Sequence, residues 1–451
     1  MTAHPDPAAL LRSKSYAGLL VICALLGVPI SAAAYGFLAL VSYLQSELFT
    51  HLPHGLGFTA APQWWPAPVL FVGAMLVVVA IKTLPGNGGP SPAGGFKLHK
   101  PPTAAQLPGV VAAALATLCF GMVLGPEMPL IMLGGGLAAL AVRLAKKDAP
   151  EQATSLVASA GSFAAISTLL GSPILGAFLL MEASGLGGAM LGLALVPGLL
   201  ASGIGSLIFI GLDSLTGLGT FSLAITGLPG FSRPNIGEFG WAVVIGLAAA
   251  VIGAGLHWMA PRVHRYAEGR TMLVLPAGGL AVAGLAIAFS EATGKSTAQV
   301  LFSGQSSLAP LVHHAASYSA AALVLLLACK GLAYGTSLGC FRGGPIFPAM
   351  FMGAAGGIAM SHLPGLPMVA GVAMGIGAMS AVMLSLPLTS VLLATLLLGH
   401  DGLAVMPLAI VAVVVAHVAS AWITAPPEPA EQAKAVPAEP AGARPAGAGH
   451  E

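Results

Sequence analysis

Charge is what this sequence has least of. Asp, Glu, Lys and Arg together make up 7% of its 451 residues, where a soluble domain carries about 25%. With 57% apolar residues beside them, a water-facing surface cannot be built, and lipid must be the main solvent. No basic run is present and the formal net charge is only +2, which gives nucleic acid nothing to bind. Cysteine is equally sparse. Cys23, Cys119, Cys329 and Cys340 stand singly in or beside apolar stretches, without a CxxC pair or a Cys/His cluster, and read as small apolar fillers. The adjacent His313 and His314 would point to different faces of a helix, so no metal site is expected there. There is no HExxH, no GxSxG and no pair of intramembrane aspartates. Ser172 and Ser337 have no histidine near them in sequence. These absences argue against an intramembrane enzyme, and no cofactor is implied.

What the chain does have is apolar length. A spanning helix needs roughly 20 apolar residues, and candidates lie near 15–45, 66–84, 104–123, 130–146, 187–211, 237–260, 271–291 and 316–336. Further pieces near 153–168, 173–185, 346–360, 367–381, 387–399 and 403–424 look too short or too broken to cross. Arg12 and Lys14 precede the first stretch, whose length exceeds a signal peptide's core, so residues 1–14 are expected on the cytoplasmic side. The Pro/Ala/Glu-rich segment 425–451 lacks apolar periodicity and is expected to be disordered. The expectation is an all-α, multi-pass protein of the cell membrane, with its transmembrane domain over 15–424.

Glycine and proline interrupt the apolar segments repeatedly. Backbone breaks inside lipid are tolerated only where protein buries them or a wet cavity receives them. The breaks repeat: LGPEMPLIMLGGG (124–136) then LLGSPILGAFLLMEA (169–183), and GGPIFPAMFMGAAGG (343–357) then MLSLPLTSVLLATLL (383–397). Two halves are therefore expected, about 15–211 and about 237–424, and paired broken segments point to a transporter's binding site. PGNGGP (85–90), GPEMP (125–129) and GGPIFP (343–348) each place glycines and proline where a helix would start. A helix start offers free N–H groups and about half a positive charge, enough to hold an anion without a lysine or arginine that would bind it too tightly to release. Glu127 lies within one break. An ionised carboxylate in the bilayer costs at least roughly 2.5–3.5 kcal/mol, so it is expected to be functional. There it would compete for the anion site as a tethered anion and leave when protonated. The bland alternative is a helix cap.

These motifs, in this order and spacing, resemble those of the chloride channel/transporter (CLC) family over most of residues 15–424. PGNGGP stands at the family's GSGIP motif, GMVLGPEMPL at its GREGP motif and RGGPIFPAMF at its GxFxP segment. The resemblance implies tilted, broken helices in two inverted halves, a homodimer, and one path per subunit for chloride or another halide or nitrate. It carries over Gly86, Asn87, Gly88, Gly125, Met128, Gly344, Ile346 and Phe347 as anion-binding positions and Glu127 as the gate. Departures are plain. Pro126 replaces a usual basic residue, Met128 a glycine, and Pro345 removes one amide donor, leaving Ile346 and Phe347. The family's pore-lining tyrosine has no counterpart in LLGHDGLAVMP (397–407), where His400 and Asp401 are candidate pore-mouth groups. The internal proton-transfer glutamate falls on Ala183, with Glu182 one residue earlier, either a substitute relay or a structural carboxylate. Lys330 and Arg342 flank the third break, and snorkelling to an interface is expected of both. Missing antiporter features favour a channel or a loosely coupled transporter. A proton-coupled exchanger with a non-standard proton route and a non-transporting scaffold are the alternatives.

Overall fold

The computed structural model describes residues 12–424 except 186, 187, 224, 226 and 232. Residues 1–11 and 425–451 lie outside them, and with them the expectation of a disordered tail. Among the described residues the apolar stretches form helices and no strand. They are α1 (Lys14–Ser46), α2 (Pro66–Thr83), α3 (Leu107–Cys119), α4 (Glu127–Ala145), α5 (Glu151–Ala165), α6 (Pro173–Ser184) and α7 (Gly188–Thr216). Beyond a connecting segment come α8 (Ile236–Gly269), α9 (Thr271–Thr293), α10 (Gln305–His313), α11 (Ala320–Cys340), α12 (Ile346–Ser361), α13 (Met368–Leu384), α14 (Pro387–Leu396) and α15 (Gly402–Ile423). Local chemistry sets their starts. Ser13 Oγ accepts the Tyr16 N–H at 3.1 Å to open α1, and Asn235 with Glu238 forms a reciprocal capping box at α8.

Among the described residues eight helices are long and apolar enough to cross a membrane, but they are not quite the expected eight. The stretch 104–123 yields only the 13-residue α3, because the backbone turns at Phe120 and Gly121. Conversely, 403–424 forms the continuous 22-residue α15 with Pro407 inside its first turns. Pro407 forgoes the bond to the Leu403 carbonyl near the helix start, and the helix runs on through it.

The repeat expected from the breaks runs through the whole packing pattern. In the first half α1 packs on α5 and α7, α4 on α5, and α5 on α7. In the second, α8 packs on α13 and α15, α12 on α13, and α13 on α15. Contacts between the halves join equivalent elements, α2 with α9 and α6 with α14, as a two-fold axis between the halves requires.

Small residues let the equivalent helices approach. Without a hydrophobic drive in lipid, such packing holds membrane helices together. A Cβ on Gly134 would strike the Gly161 carbonyl, and one on Gly357 the Gly371 carbonyl. Its neighbour Gly356 has room, with Leu327 Cδ1 at 3.9 Å from an added Cβ. Gly357→Ala should therefore cost about 1–3 kcal/mol through overpacking, while Gly356→Ala should be neutral. Thermal unfolding of the two variants in detergent checks the pair, and equal midpoints would rule out this close approach.

Candidate functional site

The second and third breaks cross as an antiparallel bridge. Gly125 N–H donates to the Gly344 carbonyl at 2.8 Å, and Gly344 N–H donates to the Gly125 carbonyl at 2.7 Å. The bridge joins equivalent glycines, so GPEMP and GPIFP correspond position by position about it: Pro126 is equivalent to Pro345, Glu127 to Ile346 and Met128 to Phe347. Both helices then begin at equivalent residues behind a proline cap, α4 at Glu127 and α12 at Ile346. Two helix starts, each with unsatisfied amides and partial positive charge, meet at one buried point.

Glu127 occupies that point. It is fully buried, and its Oε1 accepts the Ile346 N–H across the two halves. The N–H groups of Phe347 and of Glu127 itself lie close to the same carboxylate, while Oε2 has no hydrogen-bond partner. The donors expected from the motifs therefore divide. Ile346 and Phe347 face the carboxylate, whereas the amides of Gly125 and Gly344 are taken by each other's carbonyls.

One face of α11 fastens the surrounding loops. Lys330, Tyr334 and Ser337 follow one another at the i, i+4, i+7 spacing of a single helix face. Ser337 Oγ accepts the Val123 N–H at 3.1 Å, holding the second break. Tyr334, fully buried, donates to the Pro345 carbonyl at 2.7 Å, holding the third. Lys330 does not snorkel. It is fully buried, and Nζ donates to the carbonyls of Gln299, Val300, Leu301 and Phe302 at 3.0, 3.1, 3.2 and 3.4 Å. The ammonium also lies 4.4 Å from the centre of the Phe351 ring. Sequence reasoning missed this row. Its signal is three polar residues at helical spacing in an otherwise apolar segment.

The first break departs from expectation. Gly86, Asn87, Gly88 and Gly89 all have positive φ, at 88°, 51°, 71° and 89°. No α-helix follows this run, only a 3-10 turn over Pro92–Gly94. This break supplies no α-helix start. It still reaches the site: Gly88 joins Met128, Pro129, Arg342, Gly343 and Pro345 around a cavity of about 20 Å³. Asn87 is exposed and outside that wall, and the Gly86 carbonyl is taken by the Gly89 N–H at 2.8 Å. A second cavity of about 320 Å³ is lined by Pro126 with Ser42, Gln45, Ser222, Ser303 and Gln305. Along the chain, Glu127 sits between the residues that border the two.

Glu182 caps another helix of the opposite half. Its carboxylate accepts the Leu388 N–H at 3.0 Å, the Thr389 N–H at 2.7 Å and the Thr389 hydroxyl at 2.6 Å, all at the start of α14. Asp401 accepts the Phe231 N–H at 3.1 Å. With His400 it lines a separate cavity bordered by none of the three breaks. A further polar row leads to the small cavity. Exposed Glu268 lies 3.3 Å from His264 Nε2, and His264 Nδ1 lies 3.3 Å from Ser91 Oγ, in the cavity wall. His264 Nδ1 is shared with the Gly339 carbonyl at 3.2 Å.

Comparison with known proteins gives the family and the fold. A family model described as voltage gated chloride channel matches residues 69–421. The chain is similar to a putative ion-transport protein, YfeO, of Salmonella paratyphi A, with 28% identity over 369 residues, 79% of this chain and 84% of that one. The YfeO of an Escherichia coli strain is 29% identical over 351 residues, covering 76% of this chain and 79% of its own. In fold it is similar to a slow cyanobacterial Cl⁻/H⁺ antiporter, with a TM-score of 0.72, 19% identity and coverage of 91% and 95%. It is also similar to a CLC-type fluoride/proton antiporter, with a TM-score of 0.63, 20% identity and coverage of 90% and 95%.

Proposed function

Since the chain belongs to the voltage-gated chloride channel family, we propose that chloride-like anions cross it by displacing the Glu127 carboxylate from the start of α12. The observation that carries this reading is the carboxylate itself, seated on the Ile346 N–H where two helix starts meet. A carboxylate oxygen is a fair stand-in for a halide: a compact negative acceptor that amides can ligate. Ionised, the side chain holds the seat; protonated, it loses its charge and its advantage there. The cavity at Pro126 offers hydroxyl and amide side chains to an arriving anion, and the cavity at Met128 receives it. A homodimer is part of the same proposal.

Proton-coupled exchange is the second reading, and the Glu268–His264–Ser91 row favours it. With Glu182 engaged by three donors at α14, this row offers protons another way to the small cavity. Histidine is suited to such a relay because its charge changes near neutral pH. Purified protein in liposomes, given chloride, bromide, fluoride and nitrate in turn with simultaneous proton recording, tests both readings. Anion flux is expected. Protons driven uphill by a chloride gradient would establish exchange, and passive flux alone a channel. No flux of any anion would dismiss both and favour a scaffold.

A further inference from the structure

Arg342 borders the small cavity, yet neither a helix start nor the gate accounts for its side chain. Its Nε is buried and has no hydrogen-bond partner. Nη1 donates to the Phe341 carbonyl at 3.2 Å, and among the described residues no carboxylate lies within ion-pair distance of the guanidinium. A cation placed inside a membrane protein without a counter-charge marks a site by default. We propose that Arg342 is an anion ligand, forming with the walls of this cavity an inner subsite for a monovalent halide on the path past Glu127. The proposal rests on the anion-transport reading and adds a side-chain ligand to it.

Three further features support the assignment. First, the residue is held in place. Its N–H donates to Thr117 Oγ1 at 3.3 Å, and its stem lies beside Gly88 of the first break, with Cγ 3.7 Å from where a Cβ on Gly88 would stand. Second, the fold does not need a cation there. In the register set by the Gly125–Gly344 bridge, the equivalent position in the other half is Val123, whose N–H is held by Ser337 in the same manner. The two tethers repeat, but only one half carries a charge. Third, the cavity is about 20 Å³, close to the space one water requires. That suits a compact, largely dehydrated ion and not an organic anion. Arg342 borders the cavity together with Gly343 and Pro345, immediately before the amide that holds Glu127. An anion waiting beside Arg342 is one short step from the seat the carboxylate vacates.

The test is halide binding by the purified full chain. Calorimetric titration with chloride and bromide compares wild type, Arg342→Met and Arg342→Lys, while crystals soaked in bromide locate the ion by anomalous scattering. Arg342→Met should weaken chloride binding about tenfold or more, the scale of one charge-assisted hydrogen bond. Arg342→Lys should recover part of it, and bromide density should stand beside Nε. Wild-type affinity in a folded Arg342→Met overturns the proposal and leaves the anion-transport reading intact. If Arg342→Met does not fold, bromide density away from Nε overturns it alone. Wild type binding neither halide would sink the transport reading with it.

Discussion

Glu127→Gln should raise anion affinity at neutral pH about tenfold and remove most of the dependence of flux on pH. The substitution keeps shape and volume and deletes only the charge. In wild type the ionised carboxylate takes the Ile346 N–H at the meeting point of α4 and α12, where both helix ends favour an anion. A charge-assisted hydrogen bond is roughly twice as strong as a neutral one. Glutamine therefore holds the seat less well by about 1.5 kcal/mol, which is the tenfold gain for a competing halide. The sign with pH follows from competition. A proton on Glu127 frees the seat, so wild-type anion binding should strengthen as pH falls through the carboxyl's titration. By linkage, bound anion should in turn favour the protonated carboxyl. Glutamine has no proton to exchange, so its profile should be flat, and any uphill proton movement should cease. Flux and halide binding measured over a range of pH check this. A variant whose pH profile matches wild type would mean that Glu127 only caps α12.

How much of this was legible in the sequence depended on whether a feature is local. The breaks at 125–129 and 343–348 were, because glycine and proline act on their own backbone. Their equivalence was visible as GPEMP against GPIFP. What the sequence does not carry is which amides remain free. Gly125 and Gly344 look like donors in the motif, and only the crossing of the two breaks shows that they satisfy each other. The first break misled for a different reason. PGNGGP reads as a helix opening, but its glycines and Asn87 take four consecutive positive φ values and the chain goes on only to a 3-10 turn over Pro92–Gly94. Lys330 misled through its surroundings. A lysine in an apolar segment is expected to reach for the interface, and its actual partners, the carbonyls of residues 299–302, lie about 30 positions away in the chain. The two halves are also alike in backbone and unlike in charge. Glu127 is equivalent to Ile346 and Arg342 to Val123, so pseudo-symmetry builds the cradle while each charge belongs to one half alone.

Lys330→Met should destabilise the protein by about 3 kcal/mol or more, as the balance of two opposing effects. Burying an ammonium costs several kcal/mol, so the intact contact need not contribute much in net. Each bond from a charged donor to a carbonyl returns roughly 1.5–3 kcal/mol, and three of the four lie at 3.2 Å or less. Methionine fits the volume and removes the desolvation cost, but it strands the buried carbonyls of Val300 and Leu301 at about 1–3 kcal/mol each and leaves the part-buried ones of Gln299 and Phe302 unpaired. The stranded oxygens outweigh the relief. They belong to the segment that runs directly into Phe302, Ser303 and Gln305, part of the wall of the cavity at Pro126. Loss of the ammonium should therefore also lower flux through that cavity while leaving its pH dependence, which belongs to Glu127, unchanged. Thermal unfolding in detergent and flux in liposomes measure the two effects separately. Unaltered stability would mean that water satisfies those carbonyls once the ammonium is gone. An altered pH profile would mean that the loop and the gate are coupled through α11, whose Tyr334 grips the Pro345 carbonyl one helical turn further on.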